Sequence, residues 1–122
     1  MIKTKQILFL SFASLFFTFS ASADTLDQGR GFFISPQYDL QSRTLVSATL
    51  RYISERAYFY VADDYWSGIG EITHNQALAQ IETLAREFDD RIYPIETNFF
   101  GSEPNPGVDN DVRIIILLTP LI

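Results

Sequence analysis

A chain of 122 residues without a single cysteine has room for one small domain and cannot be a disulfide-stapled mini-domain. Fifteen Asp and Glu against nine Lys and Arg give a formal charge of −6, which argues against DNA or RNA as a partner and against docking on anionic lipid.

Lys3 and Lys5 open the chain. An apolar stretch runs from Ile7 to Phe19, broken by Ser11, Ser14 and Thr18, and Ala21-Ser22-Ala23 follows. Charged start, short apolar middle and A-x-A end are the three parts of a secretory signal peptide. A membrane span needs roughly 20 mainly apolar residues, more than this stretch holds. Residues 1–23 therefore read as a signal peptide cleaved between Ala23 and Asp24, with no stable membrane anchor and a periplasmic or extracellular product. Both lysines leave with the leader. The mature part carries seven arginines against fifteen acids, a charge of about −8.

Residues 24–43 have no clean periodicity, are punctuated by Gly29-Arg30-Gly31 and Ser35-Pro36, and predict an extended lead-in with a short strand at Phe32 to Ile34. From Thr44 to Ala62 the pattern is β: Leu45, Ser47, Thr49, Arg51 and Ile53 alternate with Val46, Ala48, Leu50 and Tyr52. After Ser54-Glu55-Arg56 comes the aromatic and β-branched run Ala57 to Val61. An antiparallel hairpin is expected, closed by a loop from Asp63 to Gly70 that carries Tyr65 and Trp66. Thr73, with Gln76 three residues on, reads as the capping box of a helix. Ala77, Leu78, Ile81, Leu84, Ala85, Phe88 and Ile92 form its apolar stripe, and Pro94 ends or kinks it. Ile95 to Phe100 predicts one further turn stopped by Gly101. Gly101 to Asp111 is turn chemistry throughout. Val112 to Leu118 is a nearly unbroken apolar run, expected to be an interior strand, parallel to its neighbour and buried on both faces. Strand, helix, buried strand is a βαβ unit, and the fold class is α+β. One helix and one hairpin do not supply the cover such a strand requires, so the domain is expected to continue past Ile122 or to be completed by a partner.

Few residues offer chemistry. His74 is the only histidine and reads as an exposed residue at the first helical position; with no Cys it cannot make a structural zinc site. Glu103, Asp109 and Asp111 bear oxygens of the kind calcium takes, in a segment where Asp and Asn also serve as turn formers. Asp63-Asp64 ends a strand, and Asp89-Asp90 reads as solvated helix surface. Tyr65-Trp66 is either packing or a recognition pair.

Ala57 to Val61, the helix end Glu87-Phe88-Asp89-Asp90-Arg91-Ile92-Tyr93-Pro94, and the phrase from Phe100 through Gly101-Ser102-Glu103-Pro104-Asn105-Pro106-Gly107-Val108-Asp109-Asn110-Asp111 to Ile114 carry a resemblance. Over Leu45 to Leu118 the chain resembles the front of secreted zinc metallopeptidases of the hyicolysin and immune-inhibitor-A-like kind. That resemblance implies a zincin-like mixed sheet begun by residues 44–122. It also implies a later helix bearing His-Glu-x-x-His, zinc that activates a water, and a protein or peptide substrate. None of the matching positions is catalytic. The expectation is an inactive N-terminal scaffold segment of an exported peptidase; the alternative is a small exported binding module.

Overall fold

The computed structural model describes residues 23–120. The expected leader, apart from Ala23, lies outside them.

The architecture is α+β: a four-stranded mixed sheet and one long helix. Strands β1 (Gly29–Phe33), β2 (Leu45–Ile53), β3 (Ala57–Ala62) and β4 (Ile114–Leu118) lie side by side in that order. The β2–β3 hairpin forms where the alternation places it, turning through Ser54-Glu55-Arg56, with β1 antiparallel to β2 on its far side. Val46, Ala48 and Leu50 are buried while Leu45 and Ser47 are exposed, the period of two that a half-buried strand requires. An irregularity at Arg51 then shifts the register, so that Tyr52 pairs with Phe59. One inserted residue reverses the facing of the residues after it. Tyr52 therefore joins Phe59 on one side of the sheet, and Leu50 joins Tyr58 and Tyr60 on the other.

β3 is the centre of the fold, with all six residues buried. Its odd positions Ala57, Phe59 and Val61 pack on Ile81 and Ala85 of the long helix. Burying a side chain of the size of Phe59 or Leu50 contributes about 1.5–3 kcal/mol relative to leaving it exposed. β4 runs parallel to β3, from Ala57 opposite Ile114 to Val61 opposite Leu118, as the βαβ reading requires. The described residues give it one strand neighbour, β3. Among the described strands it is the last in the order, and each of its five residues is only half-buried. The central place belongs to β3, which has a strand on each side and apolar side chains packed with it on both faces.

The helical part departs from the sequence reading at two points. The expected loop after β3 is a short helix, α1 (Asp63–Gly68), whose first turn carries Asp63 and Asp64 against the helix dipole. The long helix α2 (Glu71–Glu87) starts earlier than Thr73. Gly70, extended at φ −74° and ψ 166°, is its N-cap, and no side chain caps it. The capping box is therefore not used; Gly70 supplies its carbonyl to His74 N–H at 2.9 Å. At Pro94, expected to end or kink the helix, the chain stays helical. A π-helical turn (Phe88–Ile92), in which Tyr93 N–H reaches back to the Phe88 carbonyl, leads into α3 (Tyr93–Phe100). The wider turn accommodates a ring that has no N–H to donate and that would crowd the carbonyl four residues back. Gly101, at φ 85°, then closes α3 in a conformation side chains rarely adopt.

Candidate functional site

A concavity lies on the helical side of the sheet, at the carboxyl ends of the parallel pair β3 and β4. Val61 and Leu118 form its floor. Ala77, Gln80, Ile81 and Leu84 of α2 form one wall, Tyr65 and Trp66 of α1 another, and Thr119-Pro120 close the end. Its volume is about 390 Å³, in the range of sites that take a small ligand or a large side chain.

The aromatic wall is held in place by an imidazole and a guanidinium. The His74 ring stacks on Trp66 with centroids 4.3 Å apart and planes within 2°, and its Nε2 lies 2.7 Å from the Trp66 carbonyl oxygen. Arg51, at the strand irregularity, sets its guanidinium 4.7 Å from the Trp66 ring centroid. His74 is thus neither at the first helical position nor free on the surface, as its sequence context suggested. It is the fourth residue of α2, half-buried against α1. The Gln80 amide and the Thr119 hydroxyl interrupt the apolar lining, and Thr119 Oγ1 is buried without a hydrogen-bond partner among the described residues. Such a groove can accept an apolar group that carries a donor or acceptor. It holds no pairing of nucleophile and base.

A second, polar cleft of about 320 Å³ lies across the sheet, lined by Asp24, Gln28, Arg30, Tyr58, Asp109 and Asp111. Two of the three residues suggested as calcium ligands, Asp109 and Asp111, stand here. Glu103 does not join them; its carboxylate accepts the Tyr93 hydroxyl at 2.7 Å, and that bond holds it below the usual carboxylate range while raising the Tyr93 phenol. Among the described residues no three His, Cys, Asp or Glu side chains gather as a metal-ligand set. Asp109 acts as a turn former: its Oδ1 accepts Asp111 N–H at 3.2 Å, and Gly107 N–H bonds the Asp111 carbonyl at 2.9 Å. A Cβ on Gly107 would sit 2.9 Å from Asp109 Oδ1, so a side chain there would push that carboxylate aside. Asp111 accepts the Tyr58 hydroxyl at 2.5 Å. Burial works to raise its carboxyl, but the bonds from Tyr58 and from Arg113 N–H outweigh it and leave it lowered. Burial, and then Asp111, raise the Tyr58 phenol.

The remaining carboxylates do structural work. Asp63 accepts the Thr49 hydroxyl at 2.6 Å. Asp64 receives Arg43 at 2.7 Å, and Arg43 also holds Asp39 through both carboxylate oxygens. Asp39, only 1% exposed, is kept well below the usual carboxylate range by that side-chain pairing first and by the Arg43 and Gln41 amides. Asp89 is not solvated surface: it is half-buried and accepts Ser54 Oγ, Glu55 N–H and Arg56 N–H at 3.0, 3.0 and 3.2 Å.

Several of these roles had no sequence signal. Arg51 and Asp39 sit in polar positions like any surface residue, and Thr119 is one polar residue after an apolar run. No helix among the described residues is long and apolar enough to cross a membrane. No protein-family model matches the chain, and a search of curated proteins finds no match either.

Proposed function

We propose that this chain is the N-terminal scaffold segment of an exported zinc-dependent peptidase, which hydrolyses peptide bonds only as part of a longer protein. The observation that carries the reading is β4. Five aliphatic residues, parallel to β3 and half-covered, lie at the edge of the described sheet with no charge, proline or bulge to guard them. A sheet that goes on from that edge removes the exposure, and the groove beside β4 then lies inside a larger body. The resemblance of Leu45 to Leu118 to secreted metallopeptidases supplies the chemical class.

The described residues do not fit zinc. The one histidine is turned to the Trp66 carbonyl and the Trp66 ring, and no cluster of ligand side chains surrounds it. On this reading all zinc ligands lie in later sequence, and residues 24–122 contribute the sheet and its backing helix.

The coding sequence after Ile122 is expected to stay open and reach a His-Glu-x-x-His pattern. The longer product should cleave casein, lose activity to a chelator and regain it with zinc, while residues 24–122 alone bind no zinc. A stop codon directly after Ile122, with a soluble monomer that melts cooperatively, removes this reading. It favours the second one instead, a small exported binding module that uses the groove between Trp66 and Thr119.

A further inference from the structure

We propose that export processing builds an ion pair: cleavage after Ala23 leaves an ammonium group on Asp24, and the carboxylates of Asp109 and Asp111 hold it in the polar cleft. The inference rests on the signal-peptide reading for where the chain is cut, and on the structure for where the new terminus lies.

First residues of a domain are poorly ordered unless something ties them down. Here the residue next to the cleavage point is tied by its own side chain. Asp24 Oδ2 accepts the Tyr60 hydroxyl at 2.8 Å and lies 3.5 Å from Arg30, and its Oδ1 accepts Gln28 Nε2 at 3.3 Å. Thr25 N–H bonds Gln28 Oε1 at 3.0 Å, and Asp27 N–H bonds the Leu50 carbonyl at 2.9 Å. Five residues past the cut, the chain has joined the sheet as β1. Asp24 itself lines the cleft together with Asp109 and Asp111.

The cleft is short of positive charge. Tyr58 and Tyr60 point to one side of β3 and donate to Asp111 and Asp24, so two carboxylates stand side by side with Asp109 next to them. Arg30 meets Asp24, and Arg113 lies over the Tyr58 ring at 5.5 Å. Asp27 is paired elsewhere, with Arg51. Three acids against these two guanidiniums leave a deficit of one charge. In the precursor the Asp24 nitrogen is a neutral amide. After cleavage it is a cation in a partly buried site, where salt screens it weakly. The consequence is a tie between the mature N-terminus and the Gly101–Asp111 segment, present only once the leader is gone.

Residues 24–122 hold no lysine, so in a product of these residues the Asp24 α-amine is the sole primary amine. All 122 residues are expressed in an exporting host, beside a form with Gly-Ser inserted between Ala23 and Asp24, which moves the ammonium by about 7 Å. Mass spectrometry reads the terminus and then the rate of acylation by an amine-specific reagent at neutral pH. Only the neutral amine reacts, so an ion-paired terminus is expected to react at least about tenfold more slowly than the inserted form. Asp109→Asn should recover much of that difference. Asp109 makes one turn bond, which Asn can also accept, so the fold is expected to survive. A product whose terminus is not Asp24 overturns the proposal through the export reading. A terminus at Asp24 with equal rates in both forms, or slow acylation indifferent to Asp109→Asn, overturns the ion pair alone.

Discussion

Replacing Asp89 by alanine tests whether the π-helical turn is fastened to the hairpin. Its carboxylate accepts three bonds from Ser54, Glu55 and Arg56, the whole β2–β3 turn. Hydrogen bonds to a charged group contribute about 1.5–3 kcal/mol where water cannot replace them. Glu55 is exposed and Arg56 half-buried, so water recovers part of the loss, and about 2 kcal/mol is expected for the carboxylate as a whole. Alanine also gains roughly 0.5 kcal/mol of helix propensity over Asp. Asp90→Ala gains the same at an exposed neighbour, so the difference between the two variants isolates the turn contact. Urea unfolding followed by circular dichroism should place Asp89→Ala about 2 kcal/mol below Asp90→Ala. In melting temperature that is roughly 8–16 °C for a domain of this size. Asp89→Asn, which keeps an acceptor without the charge, should fall between. If Asp89→Ala and Asp90→Ala agree within about 0.5 kcal/mol, the usual spread for surface positions, the fastening is refuted.

Along α2, Ile81→Ala should cost about 2–5 kcal/mol, the range for emptying a core site, because Ile81 is 6% exposed against Ala57, Phe59 and Val61. Leu84→Ala should cost under about 1 kcal/mol, since Leu84 is 40% exposed on the groove wall; equal losses in urea unfolding would mean that the groove is filled. Burial, and then Asp24, push the Tyr60 phenol up to about 12. The unfolded chain ionises first, at about 10, so this tyrosine's contribution is whole below that pH and drains away as pH climbs toward the folded value. The stability gap between wild type and Tyr60→Phe should narrow in urea titrations run above about pH 10, and a gap that stays constant refutes the shift.

The local elements were legible in sequence because their causes are local. Alternation of Val46, Ala48 and Leu50 with polar neighbours makes a strand wherever one face is buried. The stripe from Ala77 to Ile92 makes a helix, and Gly101 ends it. Where two causes compete, the sequence did not decide between them. Thr73 and Gln76 offered a good cap, but Gly70 could serve three residues earlier, with Glu71 in the first turn. Pro94 forbids one hydrogen bond, and a wider turn evades the penalty without ending the helix. The site was less legible still. Asp109 as a turn former could be read from its neighbours. That Glu103 turns to Tyr93, that His74 stacks on Trp66, and that Asp89 reaches a hairpin more than thirty residues away depend on where distant backbone comes to rest.

By itself the sequence determined the α+β class, the hairpin, the amphipathic helix and the parallel β3–β4 pairing, since periodicity and chain handedness leave few alternatives. Only the tertiary structure decided which strand is central, which face Tyr52 takes after the irregularity at Arg51, and which acids share a cleft. Those are questions of position between segments far apart in the chain, and no side chain carries that information alone.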